Sequence, residues 1–140
     1  MQETITISTS KKQEMIDISS EISSIVKKSR IKQGLCNIYA KHATAAIIIN
    51  ENADPNICLD TLDALNKIIE EGVWRHDKLD GNADAHIKAT MLGPSETIPI
   101  KNNELQLGTW QAISLVELDG PKENRNIIVQ ILGDYSKEHK

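Results

Sequence analysis

The chain opens on a strict alternation, Thr4, Thr6 and Ser8 against Ile5 and Ile7, which predicts a short strand ended by the Ser8-Thr9-Ser10 run. Ser10 with Gln13 three residues later has the form of a capping box, and Met15, Ile18, Ile22, Ile25 and Val26 follow at the spacing of one helical face. A helix is expected there, with Lys27, Lys28 and Arg30 near its C-terminal end, where the dipole favours cations, and Gly34 as its stop. From Leu35 the period becomes two: Cys36, Ile38 and Ala40 face one way, Asn37, Tyr39 and Lys41 the other. The run Ala45 to Ile49 is apolar on both faces and predicts a central strand covered on both sides. Asp54-Pro55 then starts a second helix, in which Cys58, Leu62, Leu65 and Ile69 share one side to about Glu71 before Gly72 closes it.

Between Val73 and Ala83 the periodicity is lost and polar residues take over, so a loop is predicted, the kind of element on which sites are commonly built. Asp84 to Leu92 reads as a short helix before Gly93-Pro94, with His86 near its start. The remaining pattern is of strands: Thr97 to Ile100, a turn at Asn102-Asn103, Gly108 to Leu118, a turn at Asp119-Gly120-Pro121, and Asn126 to Leu132. The charged tail from Tyr135 to Lys140 is expected to fray and to leave His139 solvated. This order predicts one α+β domain over residues 1–140, a mixed, mostly antiparallel sheet with two main helices. No repeat, linker or glycine-rich phosphate loop interrupts it.

Composition sharpens this picture in three places. The chain has no Phe, two Trp and two Tyr, so its core must come from Ile, Leu, Val and Ala, and each Trp needs a reason. A net charge of −4 gives no electrostatic footprint for a phosphate backbone, no run approaches the roughly 20 apolar residues of a spanning helix, and the N-terminus lacks the pattern of a signal peptide. Neither nucleic acid nor membrane is therefore an expected partner, and the cytoplasm is the expected compartment. Cys36 and Cys58 both fall on apolar periods and read as buried thiols, not activated nucleophiles.

Several short segments carry a resemblance: His42-Ala43-Thr44-Ala45, Asn50-Glu51-Asn52, His76, Asn82-Ala83 followed by His86, Leu107-Gly108-Thr109-Trp110-Gln111, then Glu117 and Asp119-Gly120-Pro121. In this order, over nearly the whole chain, they resemble the YjbQ-like family. The resemblance implies a compact α+β fold, commonly a homotrimer, and the family label of a secondary thiamine-phosphate synthase, which reflects a weak side activity. It also implies a pocket to which His42, Thr44, Asn50, Glu51, His76, Asn82, His86, Trp110 and Gln111 belong. Two departures stand out: Ala43 where a threonine is common, and a looser Gly120–Arg125 turn that leaves ligand contacts by Lys122 and Arg125 open.

Spacing alone does not bring His42, His76 and His86 together, because the latter two are ten residues apart across a loop and lack the short helical spacing of a zinc motif. On the resemblance's implication, the three imidazoles would hold a divalent metal, zinc rather than magnesium, with Glu51 or Asn82 behind them. Protonated histidines with the Asn50 and Asn82 amides would instead hold phosphate or sulfate. The two pictures require opposite protonation states. Glu51 and His42 are the expected acid–base residues, and Thr44, Asn50, Asn82, Trp110 and Gln111 the expected substrate-binding ones. Glu51 also reads as a solvated loop carboxylate, Trp110 as a core residue, and Trp74 as either a pocket wall or an interface residue. The function expected from the resemblance is a weak thiamine-phosphate-synthase-type transfer on a small phosphorylated heterocycle. Such chemistry draws on Mg²⁺, carboxylates and a basic clamp, and without an obvious clamp slow turnover is expected. The alternatives are a metal-assisted hydrolase and a trimer that binds a metabolite or ion without converting it.

Overall fold

The alternating N-terminal run forms β1 (Gln2–Ile7), with Ile5 and Ile7 turned to the core, in a computed structural model that describes residues 1–135. The expectations for His139 and the rest of the tail fall on 136–140, outside the described residues. The first helix departs from its apolar spacing. Glu14–Asp17 form a strand, β2, and α1 runs only from Ser19 to Ser29. The Ser10–Gln13 capping box is replaced by Glu14, whose Oε1 accepts the Ser10 N–H at 2.7 Å, and Asp17 Oδ1 accepts the Ser19 N–H at 2.8 Å where the helix begins. Helix α1 buries Ile22, Ile25 and Val26 and ends on Arg30, at a left-handed φ of 59°, ahead of the expected Gly34.

Gly34 instead lies inside β3 (Ile31–Ala40), opposite Gly133 of the last strand, β8 (Arg125–Tyr135). The two backbones approach so closely that a Cβ on Gly34 would stand 2.0 Å from the Leu132 carbonyl oxygen. After β3 come β4 (Ala45–Asn50), α2 (Pro55–Ile68), a 3-10 turn (Arg75–Lys78), α3 (Ala83–Leu92), β5 (Ser95–Lys101), β6 (Glu104–Leu105) and β7 (Ala112–Glu117). Asp54 caps α2 as expected, accepting the Asn56 N–H at 2.9 Å, but the helix ends at Ile68, before Gly72. Asn102 and Asn103 take φ values of 53° and 60°, the left-handed pair that a two-residue hairpin requires. The strand expected from Gly108 starts only at Ala112, because Gly108–Gln111 closes on itself as a turn.

The strands form two antiparallel sheets, one of five strands in the order β1-β8-β3-β5-β6 and one of three in the order β2-β7-β4. The α+β class holds, with α1 and α2 as the two main helices and α3 as the short helix expected over Asp84 to Leu92. Ile38, Ile98, Ile127 and Val129 of the larger sheet pack on Ile47, Ile113 and Leu115 of the smaller and on Ile22 and Ile25 of α1. On the far face of the smaller sheet, Ala46 and Val116 meet Leu62 of α2 and Ala85 and Ala89 of α3. That arrangement explains the doubly apolar Ala45–Ile49 run: β4 is an edge strand, not a central one, yet both of its faces are covered. No helix among the described residues is long and apolar enough to cross a membrane.

The Gly34–Gly133 contact leaves no room for a methyl group. Gly34→Ala is expected to lower stability by about 1–3 kcal/mol, the usual cost of overpacking, and urea unfolding of both proteins checks it. An unchanged midpoint would show that the β3–β8 crossing can widen.

Candidate functional site

The loop after α2 is shaped by Asp77. Its carboxylate accepts the Trp74 N–H at 3.0 Å through Oδ2 and the Ala83 N–H at 3.0 Å through Oδ1, closing the loop and occupying a free donor at the start of α3. These bonds, that to Ala83 first, hold the Asp77 carboxyl below its ordinary pKa. The Trp74 indole N–H donates to the Glu70 carbonyl at 2.7 Å, which turns the ring back along the loop. His76, on the 3-10 turn, then meets His86, on α3, edge to face, with ring centroids 5.1 Å apart. Trp74, His76, Ala83, His86 and Ile87 surround a recess of about 350 Å³. Asp80 is 3.7 Å from His76 Nε2 on the exposed side, a contact of little energetic weight.

Asn82 joins this recess to the end of β7. Its Nδ2 donates to Asp119 Oδ2 at 2.9 Å, while its buried Oδ1 accepts no hydrogen bond among the described residues. The same end of β7 carries a buried ion pair between Glu117 and Arg125, the residue whose ligand contact the sequence left open. Arg125 donates from Nε to Glu117 Oε1 at 3.0 Å and from Nη2 to Oε2, and Nη2 also reaches Thr44 Oγ1 at 2.9 Å. Thr9 Oγ1 and the Leu118 and Asp119 N–H groups complete the carboxylate's partners. Burial alone would push the Glu117 carboxyl up; the bonds from Arg125, Thr9 and the backbone outweigh it and hold the group below its ordinary value.

His42 and Thr44, expected at the ligand, belong to this buried structure. The Asn126 N–H donates to His42 Nε2 at 2.7 Å, so the lone pair a metal or a proton would take is in use and the proton sits on Nδ1. Burial first, then the charges of Arg125 and Lys41, lower the His42 pKa against the pull of Glu117. The Thr44 hydroxyl accepts from Arg125 and the residue is buried, which removes it as a ligand contact. Arg125 itself is only 3% exposed, and its Nε and Nη2 are occupied.

The other expected residues stand at the opposite end of β4 and β7. The register sets Ala45 against Glu117 and Asn50 against Ala112, a six-residue span worth roughly 20 Å. Asn50 uses its Oδ1 to accept the Glu51 N–H at 2.7 Å. Glu51, with Asp17 and Asp54, lies near Cys58, whose pKa rises through burial first and through these carboxylates next. Cys36 is pushed up to about 11 by burial; with both pKa values raised, each thiol is protonated at neutral pH, as its apolar period suggests. Trp110 is 70% exposed on the Gly108–Gln111 turn, neither core nor part of the histidine recess. Gln111 Oε1 accepts the Gly108 N–H at 2.8 Å. One chain therefore brings together His76, His86 and the neighbouring Asn82, turns His42 and Thr44 inward, and sets Asn50, Glu51, Trp110 and Gln111 apart.

The three-histidine metal site does not fit this geometry. Among the described residues no group of three or more His, Cys, Asp or Glu side chains is arranged to hold a metal ion.

These features define a small α+β domain of two antiparallel sheets with an aromatic, imidazole-walled recess at one end. The chain belongs to the UPF0047 protein YjbQ-like family, whose model matches residues 3–134. It is 44% identical over 128 residues to UPF0047 protein MJ1081 of Methanocaldococcus jannaschii, covering 91% of both chains. It is 38% identical over 136 residues to UPF0047 protein YugU of Bacillus subtilis, covering 95% of this chain and 100% of that one. Among solved structures it resembles a YbjQ-like protein (SSO2532) from Sulfolobus solfataricus, with a TM-score of 0.93 and 41% identity over 96% of this chain and 97% of the other.

Breaking the buried pair is expected to be costly. Arg125→Ala should destabilise the fold by about 3–5 kcal/mol, because it strands the Glu117 charge; a loss below about 1 kcal/mol in urea unfolding would show that the carboxylate finds other partners. Acid acts in the same direction twice. The lowered His42 pKa makes the unfolded chain bind the extra proton first, so stability falls as pH drops through 6.5 towards the folded value. The lowered Glu117 pKa contributes stability above 4.5 that is lost as pH falls below it and through the folded value. Thermal melting across this range, with and without Glu117→Gln, separates the two windows. Metal content measured by mass spectrometry on tag-free protein should show no transition metal that disappears in the His76→Ala/His86→Ala variant. One zinc per chain, lost in that variant, would overturn the donor-set argument.

Proposed function

We propose that the recess walled by Trp74, His76 and His86 binds a flat, phosphorylated heterocycle and that the chain acts on it slowly, in the manner of the thiamine-phosphate-synthase label attached to the family it resembled in sequence. One observation carries this reading: an indole and two imidazoles border an open recess of about 350 Å³ beside the apolar side chains of Ala83 and Ile87. Such walls suit a planar aromatic ring, which gains offset and edge contacts from all three side chains. A neutral imidazole offers one donor and one acceptor, enough to orient a ring nitrogen or an exocyclic amine.

Positive charge for a phosphate stands beside the recess. Arg75 and Lys78 flank His76 on the same exposed turn, and neither is in an ion pair among the described residues. They are surface cations, not a buried clamp, which favours binding over fast phosphate chemistry. Glu51, the expected base, stands roughly 20 Å away along β4 and takes no part in the recess of its own chain. The slow turnover follows from that separation.

The test is a calorimetric titration of the intact chain with thiamine phosphate. Saturable binding is expected, weakened about tenfold in His76→Ala and in His86→Ala, the ~1.4 kcal/mol of one good hydrogen bond. Binding that both variants retain in full would overturn the reading, as would no heat at millimolar ligand.

A further inference from the structure

We propose that a second cavity beside α3 binds a free α-amino acid, taking its carboxylate on Lys88 and Lys12 and its ammonium on Asp84 and Glu71. The cavity, about 390 Å³, lies where the segment before β2 meets the end of α2 and the start of α3. Its size is that of an ordinary small-molecule site.

The floor of the cavity is ionic. Asp84 and Lys88, one turn apart on α3, are 4% and 1% exposed, and both line it. An ammonium has three N–H donors. Lys88 gives one to Asp84 Oδ2 and one to Asn66 Oδ1, each at 2.7 Å, and its third has no acceptor among the described residues. Asp84 uses Oδ2 for this pair, while its Oδ1 accepts no hydrogen bond among the described residues. The Asn66 amide is committed to holding Lys88 in place, because it exchanges hydrogen bonds of 3.0 and 2.9 Å with the Gln13 amide. Buried charges are costly unless their hydrogen-bonding capacity is met. This floor therefore offers a ligand one donor on a cation and one acceptor on an anion, side by side.

The rim repeats the pattern. Lys12 Nζ meets Glu71 Oε1 at 2.7 Å with both side chains more than half exposed, so the pair is weak and opens readily. The hydrogen bond to Glu71, then the charges of Glu71, Asp84 and Asp119, raise the Lys12 pKa against slight burial, and the ammonium stays charged at the mouth. Two cations and two carboxylates leave the cavity without net charge. A simple anion would meet Asp84 and Glu71, and a simple cation Lys88 and Lys12. A ligand that carries both charges on neighbouring carbons satisfies all four. Ile69, 4% exposed, supplies an apolar contact for a small side chain. No aromatic ring lines this cavity, which separates its chemistry from that of the histidine recess.

The inference is independent of the ligand proposed for that recess. The experiment titrates the isotope-labelled intact chain with individual L-amino acids and follows its amide NMR signals. Saturable shifts centred on the Gln13 and Asn66 side-chain amides and on the Asp84 and Lys88 backbone are expected with at least one amino acid. Acetate and ethylammonium, which carry one charge each, should bind about tenfold more weakly or worse. Lys12→Ala, at an exposed position, should keep the fold and weaken binding about tenfold. Lys88→Met should abolish binding, with circular dichroism checking its fold, and His76→Ala should bind as the intact chain does. No shift with any amino acid at millimolar concentration would overturn the proposal, as would shifts centred elsewhere, acetate binding equally well, or full binding by Lys12→Ala. Thiamine phosphate binding without amino-acid binding would overturn it and leave the recess reading standing.

Discussion

Glu117 has no solvent exposure, and a carboxylate in that position is tolerable only if its charge is met by hydrogen bonds and a counter-charge. The groups that meet it come from separate parts of the chain: Thr9 from the segment after β1, Arg125 from the start of β8, and the N–H groups of Leu118 and Asp119 from the turn between them. Arg125 then draws in Thr44, at the approach to β4. Satisfying one buried charge thus fixes where several connections cross, and the recess inherits its position from them. Asp119, set by the turn, takes the Asn82 amide and so anchors the start of α3, where the histidine recess lies.

A second buried pair does the same work in the helical layer. Lys88, 1% exposed, donates to Asp84 Oδ2 and to Asn66 Oδ1, each at 2.7 Å, linking α3 to α2 across the small sheet's outer face. Well-packed apolar residues could replace such a pair at little net cost in stability. What an apolar side chain would not supply is the directional bond from Lys88 to Asn66, which ties α3 to α2, since Asp84 lies on α3 itself. Held by Lys88–Asn66 and, at its start, by Asn82–Asp119, α3 presents His86 to His76. The polar interior thus bears on the orientation of the helix that carries His86.

The parts of the fold legible in the sequence are those decided locally. Asp54-Pro55 caps its helix through an adjacent N–H, and Asn102-Asn103 turns a hairpin because asparagine tolerates the left-handed region. The misread parts depend on partners far along the chain. Met15 and Ile18 are three apart and look helical, but the segment around Met15 is claimed by β7, with Met15 opposite Val116. Gly34 looks like a helix stop, while its actual constraint is a carbonyl of β8. For the site, residue types and motif order singled out His76, Asn82 and His86, and the fold does bring these three to one loop and the helix start after it. They misassigned His42 and Thr44, because nothing in the sequence says that an imidazole nitrogen will be used by a backbone N–H or a hydroxyl by a buried arginine.

The three described histidines show why identity alone is a poor guide to chemistry. His42 spends its Nε2 lone pair on the Asn126 N–H, and burial first, then the charges of Arg125 and Lys41, resist its protonation. It works as a neutral strut between β8 and the approach to β4. His76 and His86 meet through their ring edges and faces, which leaves their nitrogens available to a third group. The difference comes from what surrounds each ring: a strand end with an unmet N–H in one case, and a loop closed by Asp77 over small side chains in the other. A site in this fold is thus built where the backbone is already satisfied by other groups, so that side-chain donors and acceptors remain for a ligand. By that criterion the Asp77-closed loop qualifies and the end of β3 does not.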